Sequence, residues 1–237
     1  MKMALCLAGK PSTMEFCYPS LKKHLLDVYN PDVFACSDEQ GDRIDQLYSP
    51  KLSSIIGQDY ITHQFESRLS QYYICQTEPM KDLSVNWKVR RCGEMLKEWE
   101  DDVLGEKYDV VAFSRFDVKF LHIAPIEIPE PNTLYMPIVD GLLTPADQNG
   151  LHFGGYSTQL CWMSSDVAQK FSYFYNSMDK LYQRRNGWHN EIMFKMYCDQ
   201  VGIIPKLVDI SMMIIRGTNA NPLATDLNPL SKYPEFL

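Results

Sequence analysis

A chain containing Tyr108-Asp109-Val110-Val111-Ala112-Phe113-Ser114-Arg115-Phe116-Asp117 has to bury an apolar strand and then bring a serine, an arginine and a carboxylate to a surface. Short, uninterrupted apolar strands are buried on both faces, the habit of parallel sheets in α/β proteins. In an open α/β sheet, ligands bind in the crevice outside the carboxyl ends of the strands. Ser114, Arg115 and Asp117 therefore stand where a nucleotide, a phosphate or a bound metal is expected.

The same pattern recurs upstream. Met3 to Leu7 is an apolar run that opens into Ala8-Gly9-Lys10-Pro11, and Asp32-Val33-Phe34-Ala35-Cys36 is another, ending in Ser37-Asp38-Glu39. Between them a helix is expected, with capping-box spacing at Ser12-Thr13-Met14-Glu15, Pro19 in its first turn, apolar positions Leu21, Leu25 and Val28, and an end near Asn30-Pro31. That is a βαβ unit. From Asn86, Val89, Cys92, Leu96, Trp99 and Val103 recur at steps of three and four, which predicts a helix. The acidic run Glu98 to Asp102 opposes the dipole at a helix C-terminus, so the helix should end there and Gly105 close it.

Farther on, Thr133 to Pro137 and Gln159 to Met163 read as strands. Ser164 or Ser165 caps a helix with the apolar face Val167, Phe171, Phe174, Met178 and Leu181, stopped by Asn186-Gly187. A second helix starts near Asn190-Glu191, carries Ile192, Met193, Met196 and Tyr197, and ends at Gly202; Lys206 to Ile210 and Met212 to Ile215 supply late strands. Residues 38 to 84 show no clear periodicity. Asp140 to Tyr156, rich in Gly, Asp and Asn, is a long loop of the kind that is usually functional or mobile. Strands alternating with helices predict one α/β/α sandwich domain over residues 1–216 with a mixed, mostly parallel central sheet, followed by an extended arm over 217–237.

Composition narrows the ligand. At 237 residues and 45% hydrophobic content the chain can build a core without staples. Seven scattered cysteines, with no C-x-x-C pair, read as free thiols in a reducing compartment. The apolar run at the N-terminus is broken by Gly9, Lys10 and Pro11 before it could be a leader or a membrane span, so a cytoplasmic protein is expected. A net charge of −7 argues against a broad nucleic-acid surface, so an anionic ligand needs a local cluster of cations.

Several clusters fall on the predicted carboxyl edge. Ala8-Gly9-Lys10 can let a backbone approach a nucleotide while Lys10 meets a phosphate, or can be an ordinary turn. Ser37 and Asp38 can receive a base or a ribose hydroxyl, or can be a solvated turn. Asp117 meets the minimum for a magnesium or manganese ion on a phosphate substrate, or pairs with Arg115 or Lys119. Arg115 can meet phosphate in a bidentate fork. Glu191, at a helix start, can be a catalytic base or can simply be favoured by the dipole. Asp147, Asp140, His152 and His189 compete for the base role, and Trp188 and Tyr156 can stack on a sugar or pack in the core.

In order along the chain, these pieces resemble the small glycosyltransferases with a GT-A type fold from capsule, lipopolysaccharide and large-virus glycan loci, the WavE-like group among them. The resemblance runs through Ala4 to Gly9, Tyr18-Pro19-Ser20-Leu21, Pro31 to Phe34, Asn86-Trp87-Lys88 with Cys92, Tyr108 to Val111 with Ser114 to Asp117, Phe153-Gly154-Gly155, and His189-Asn190-Glu191 with Leu207 to Ile210. It implies a GT-A-like, Rossmann-related sandwich and transfer of a sugar from a nucleotide sugar, UDP-linked, to a hydroxyl of a glycan or glycoconjugate acceptor. It also implies that Lys88 and Arg91 join Ala8, Gly9, Lys10, Ser37, Asp38, Ser114 and Arg115 around the donor, with Glu191 and Asp147 catalytic. The D-x-D motif of such enzymes holds a divalent cation, manganese or magnesium, on the diphosphate. Asp117 matches its final acid and Arg115 stands in the place of the first, so either the arginine takes over part of the ion's role or Asp117 binds the ion alone. The alternative from another class is a non-catalytic carbohydrate- or nucleotide-binding module on the same frame. A nucleotidyltransferase lacks support, because no Gly-rich phosphate loop is present.

Overall fold

The computed structural model describes residues 1–72, 78–137, 159–185, 187–218 and 221–226. Its strands are β1 (Met3–Ala8), β2 (Asp32–Ser37), β3 (Leu52–Ile55), β4 (Val110–Ser114), β5 (Val118–Ile123), β6 (Thr133–Pro137), β7 (Leu160–Met163), β8 (Ile204–Val208), β9 (Ile210–Thr218) and β10 (Asn221–Asp226). The helices are α1 (Met14–Leu21), α2 (Asp27–Tyr29), α3 (Gly41–Tyr48), α4 (Gln58–Leu69), α5 (Pro79–Trp99), α6 (Ser165–Ser172), α7 (Phe174–Arg185) and α8 (Asn190–Val201).

Seven strands form the central sheet in the order β3-β2-β1-β4-β7-β6-β8. β1 to β4 pair in parallel, β7 runs antiparallel between β4 and β6, and β6 pairs in parallel with β8. This is the mixed, mostly parallel α/β sheet expected from the sequence. A second sheet, β10-β9-β5, is antiparallel.

Alternation along the strands divides the core in two. Leu5 lies beside Val33 and Ala112, and Ala112 beside Trp162, all on one face; Cys6 lies beside Phe34 and Phe113, and Phe113 beside Cys161, on the other. The first face packs on α1, α3 and the small sheet through Met14, Leu21, Ile44, Phe120 and Met212. The second packs on α5 to α8 through Cys92, Leu96, Phe171, Met178 and Phe194.

Local departures from the sequence expectation have identifiable causes. The first helix starts at Met14, so Pro19 lies inside it and has no N–H to give the Glu15 carbonyl. A π-helical turn, Lys22–Leu26, carries the chain into α2, and Asn30 ends it at φ 47° with Val28 exposed. The Thr13 hydroxyl does not cap α1; it donates to the Ile215 carbonyl at 2.9 Å and ties the helix to β9. α5 begins at Pro79, well before Asn86, and a π-helical turn, Glu100–Leu104, precedes Gly105 at φ 70°. Glu100 is not a stray acid at a helix end: its carboxylate is buried and accepts the Tyr108 N–H at 2.9 Å and the Ser165 hydroxyl at 2.8 Å.

The helix expected from Ser165 breaks at Tyr173 into α6 and α7, with all five predicted face residues buried. Inside 38–84 the structure forms α3, β3 and α4, and inside the expected arm β10 pairs along β9. Six cysteines are buried free thiols; Cys75 lies outside the described residues. Among the described residues no helix is long and apolar enough to cross a membrane.

α5 lies close against α6 because position 93 carries no side chain. A Cβ on Gly93 would press into the Cβ and Oγ of Ser172. Gly93→Ala should therefore destabilise the fold by about 1–3 kcal/mol through overpacking, read as a lower urea midpoint; an unchanged or higher midpoint would contradict this packing.

Candidate functional site at the carboxyl edge

β1, β2 and β4 run out together. Leu7 is level with Ala35 and Ser114, and the Gly9 N–H continues the ladder to the Cys36 carbonyl at 3.1 Å. Adjacent strands lie about 4.8 Å apart, so the ends of β2, β1 and β4 fall within about 10 Å of one another. The N-terminal half of α5 rises past the same edge, with Cys92 beside the Leu7 carbonyl and Lys88 at the end of β2. Two side-chain bonds dock the start of α8 on α5: Trp188 Nε1 donates to Asp82 at 2.7 Å, and Asn86 Nδ2 to Asn190 at 2.9 Å.

At the end of β1, Ala8 is buried and frames the site without facing it. Gly9 has φ 141°, a conformation side chains resist, and a Cβ built there would meet nothing within 4 Å. Open space thus lies beside this backbone, next to the exposed Lys10.

At the end of β2, Ser37 is fully buried and its hydroxyl donates to the Glu39 carbonyl at 2.8 Å, so its side chain shapes a turn and does not present itself to a ligand. Asp38 is different. Its Oδ2 accepts from the Lys88 ammonium at 3.2 Å, while its buried Oδ1 has no hydrogen-bond donor. Lys88 also donates to Ser84 Oγ at 3.0 Å and is only 2% exposed, so it supports Asp38 from below and does not reach a ligand itself.

At the end of β4, Ser114 is buried and its hydroxyl donates to the Gln159 carbonyl at 3.2 Å, pinning β4 to β7. Arg115 grips Asp117 with a two-pronged contact, Nε to Oδ1 at 2.7 Å and Nη2 to Oδ2 at 2.5 Å. The Asp117 side chain is 11% exposed and that of Arg115 23%. Burial, with the Asp117 carboxylate nearby, pushes the Cys17 thiol up to about 12.

Glu191 opens α8 with its Oε2 at 3.2 Å from His189 Nδ1. Burial resists its ionisation, but attraction to the His189 ring and a backbone N–H outweigh burial and hold the carboxyl below its ordinary value. A carboxylate is thus present at neutral pH. Trp188 is fully buried and packs against Tyr72 and Tyr182, so it is core and not a sugar platform.

Arg91 is not brought to the edge. Its Nη1 pairs with Glu94 at 3.3 Å and Glu98 at 3.1 Å, farther along its own helix. Asp147, Asp140, His152 and Tyr156 lie outside the described residues, in a segment whose flanks, Pro137 at the end of β6 and Gln159 before β7, are both at this edge. Asp82 and Ser84 escaped the sequence reading, and Asn86 entered it only as a helix start and as part of the resemblance; the i,i+4 spacings of Ser84 with Lys88 and Asp82 with Asn86 were the available signal.

The donor set can be tested for a divalent cation. Both oxygens of Asp117 are committed to Arg115, and among the described residues no group of three His, Cys, Asp or Glu side chains is gathered to hold a metal ion. As arranged, Asp117 does not fit a cation without first giving up its guanidinium. Set against known proteins, the chain matches no family model and no curated protein, so the site is read from its own chemistry.

The Lys88–Asp38 pair yields a direct test. Lys88→Met leaves the Asp38 carboxylate largely buried without its cation, which should cost about 3–5 kcal/mol. Adding Asp38→Asn should recover most of the loss in chemical denaturation; a double variant as unstable as the single one would show that the pair is not the cause.

Proposed function

We propose that this chain is a nucleotide-sugar-dependent glycosyltransferase that moves a sugar, UDP-linked in the simplest case, to a hydroxyl of a glycan acceptor. The observation that carries the reading is one edge of an acidic protein that holds open space beside Gly9, the exposed Lys10, Arg115 and the half-satisfied Asp38, with an ionised Glu191 at the start of the helix docked on α5. The mostly parallel α/β sheet with ligand-competent strand ends agrees with the GT-A-like frame that the sequence resembles.

In this reading Asp38 Oδ1 accepts a hydrogen bond from the base or the ribose. Gly9 admits the diphosphate close to the backbone, and Lys10 and Arg115 stabilise the charge that grows on it as the bond from the anomeric carbon to the diphosphate oxygen breaks. The sugar ring passes through a state with positive charge at that carbon, like that of glycoside hydrolysis. The acceptor oxygen bonds to the same carbon, and its proton goes to Glu191 if the configuration inverts. If it is retained, Glu191 positions the sugar. The buried free thiols suit the reducing cytosol expected from the sequence.

A second reading, a binding module without chemistry, is favoured by one feature: the strand-end acid is already neutralised by Arg115. A panel of nucleotide sugars, assayed for release of nucleoside diphosphate with and without added glycan, separates the two. Transfer predicts release from at least one donor, and Glu191→Gln should lower it by about 100-fold or more without weakening nucleotide binding. Because the Glu191 carboxyl is held below its ordinary value, it stays deprotonated as the pH falls, so the wild-type acid limb assigned to it should lie below the ordinary glutamate range. Tight binding with no release from any donor would favour the module.

A further inference from the structure

The Arg115–Asp117 pair is built as part of a rigid site. The Asp117 main-chain carbonyl accepts the Ile215 N–H at 2.8 Å, and the Ile215 carbonyl accepts the Thr13 hydroxyl at 2.9 Å, so the turn after β4 is fastened to β9 and α1. Charge-assisted, two-pronged arginine–carboxylate contacts are among the stronger and more directional hydrogen bonds available to side chains. Parting this one to admit an ion would leave a guanidinium without its counter-charge in a largely dry setting, which is costly.

The contact uses the Nε and Nη2 edge of the guanidinium. The end of the guanidinium, with Nη1 and the remaining N–H of Nη2, is a second fork, and fork geometry matches phosphate oxygens. Arg115 keeps 23% of its side chain exposed, while Asp117 behind it keeps 11%. A divalent cation on two carboxylates and a guanidinium on one carboxylate are both electrically neutral units that offer a concentrated positive face. With Lys10 across the edge, the second arrangement needs no ion to meet a diphosphate.

We propose that Arg115, oriented by Asp117, does here the work expected of a divalent cation, so that the donor diphosphate is bound without a metal. The inference rests on the nucleotide-sugar reading above. It makes Asp117 a positioning residue for the guanidinium, not a metal ligand.

The test is calorimetric titration of the full chain with UDP, GDP, ADP and CDP, in EDTA and again in manganese. The expected result is that one nucleotide binds with the same Kd, within about twofold, in both buffers. Arg115→Ala should weaken that nucleotide by about tenfold or more in EDTA. Since Arg115→Ala strips Asp117 of its partner, a change that by itself weakens the fold, Arg115→Ala combined with Asp117→Asn serves as the control and should show the same loss. Binding that requires manganese overturns the inference and leaves the nucleotide-sugar reading standing, as does wild-type affinity in both variants. No binding of any of these nucleotides in either buffer overturns that reading and the inference together.

Discussion

β1 has parallel neighbours on both sides, and its register with them is the constraint on which the carboxyl edge depends. Leu5 and Leu7 must face the core shared with α1 and the small sheet, while Cys6 and Ala8 face the core shared with α5. Slipping β1 by one residue would exchange these sets and set small residues where large ones are needed. The alternation thus fixes which residue of each strand is last inside. It is Ala8 on β1, Ser37 on β2 and Ser114 on β4, and the residues that follow are the first free to meet a ligand: Gly9 and Lys10, Asp38, and Arg115.

The same edge shows how an acidic chain can prepare for an anion. Its cations are treated differently. Lys88 is buried and given to Asp38, Arg91 is turned toward Glu94 and Glu98, Arg115 is oriented by Asp117, and Lys10 stays exposed. A fully buried ammonium is no ligand contact, but it pairs with one oxygen of a mostly buried carboxylate and leaves the other oxygen without a donor. Arg115 and Asp117 follow the same logic with the signs reversed: the buried acid holds the more exposed base.

Much of this was legible in the sequence. Apolar runs at 3–7, 33–36 and 110–113 are β1, β2 and β4, and their polar ends do share an edge. The helix faces of α6 and α7 follow from three-and-four spacing because their apolar residues pack on one side, whereas on α8 Met193 and Tyr197 are buried with Phe194 and Cys198, and Ile192 and Met196 are only half-buried. What sequence could not give was the direction of short polar side chains. Ser37 and Ser114 stand at strand ends like ligand contacts, yet each hydroxyl is used by a nearby carbonyl. The small sheet was missed in part because β5 starts directly after the charged turn and gains its partner only from β9, far along the chain. The competition between cation and arginine at Asp117 was visible as residue types, but which partner the carboxylate takes is a matter of geometry.

The central claim is that the carboxyl edge of the parallel strands is where a nucleotide sugar binds, and amide hydrogen exchange with and without a saturating nucleotide tests it most directly. The account predicts slowed exchange at residues 8–10, 38–39 and 115–118, where backbone amides adjoin the open space beside Gly9 and the turn after β4. The amino edge, around Lys2, Asp32 and Asp109, should exchange as before. Protection confined to that opposite edge, with none at the ends of β1, β2 and β4, would contradict it.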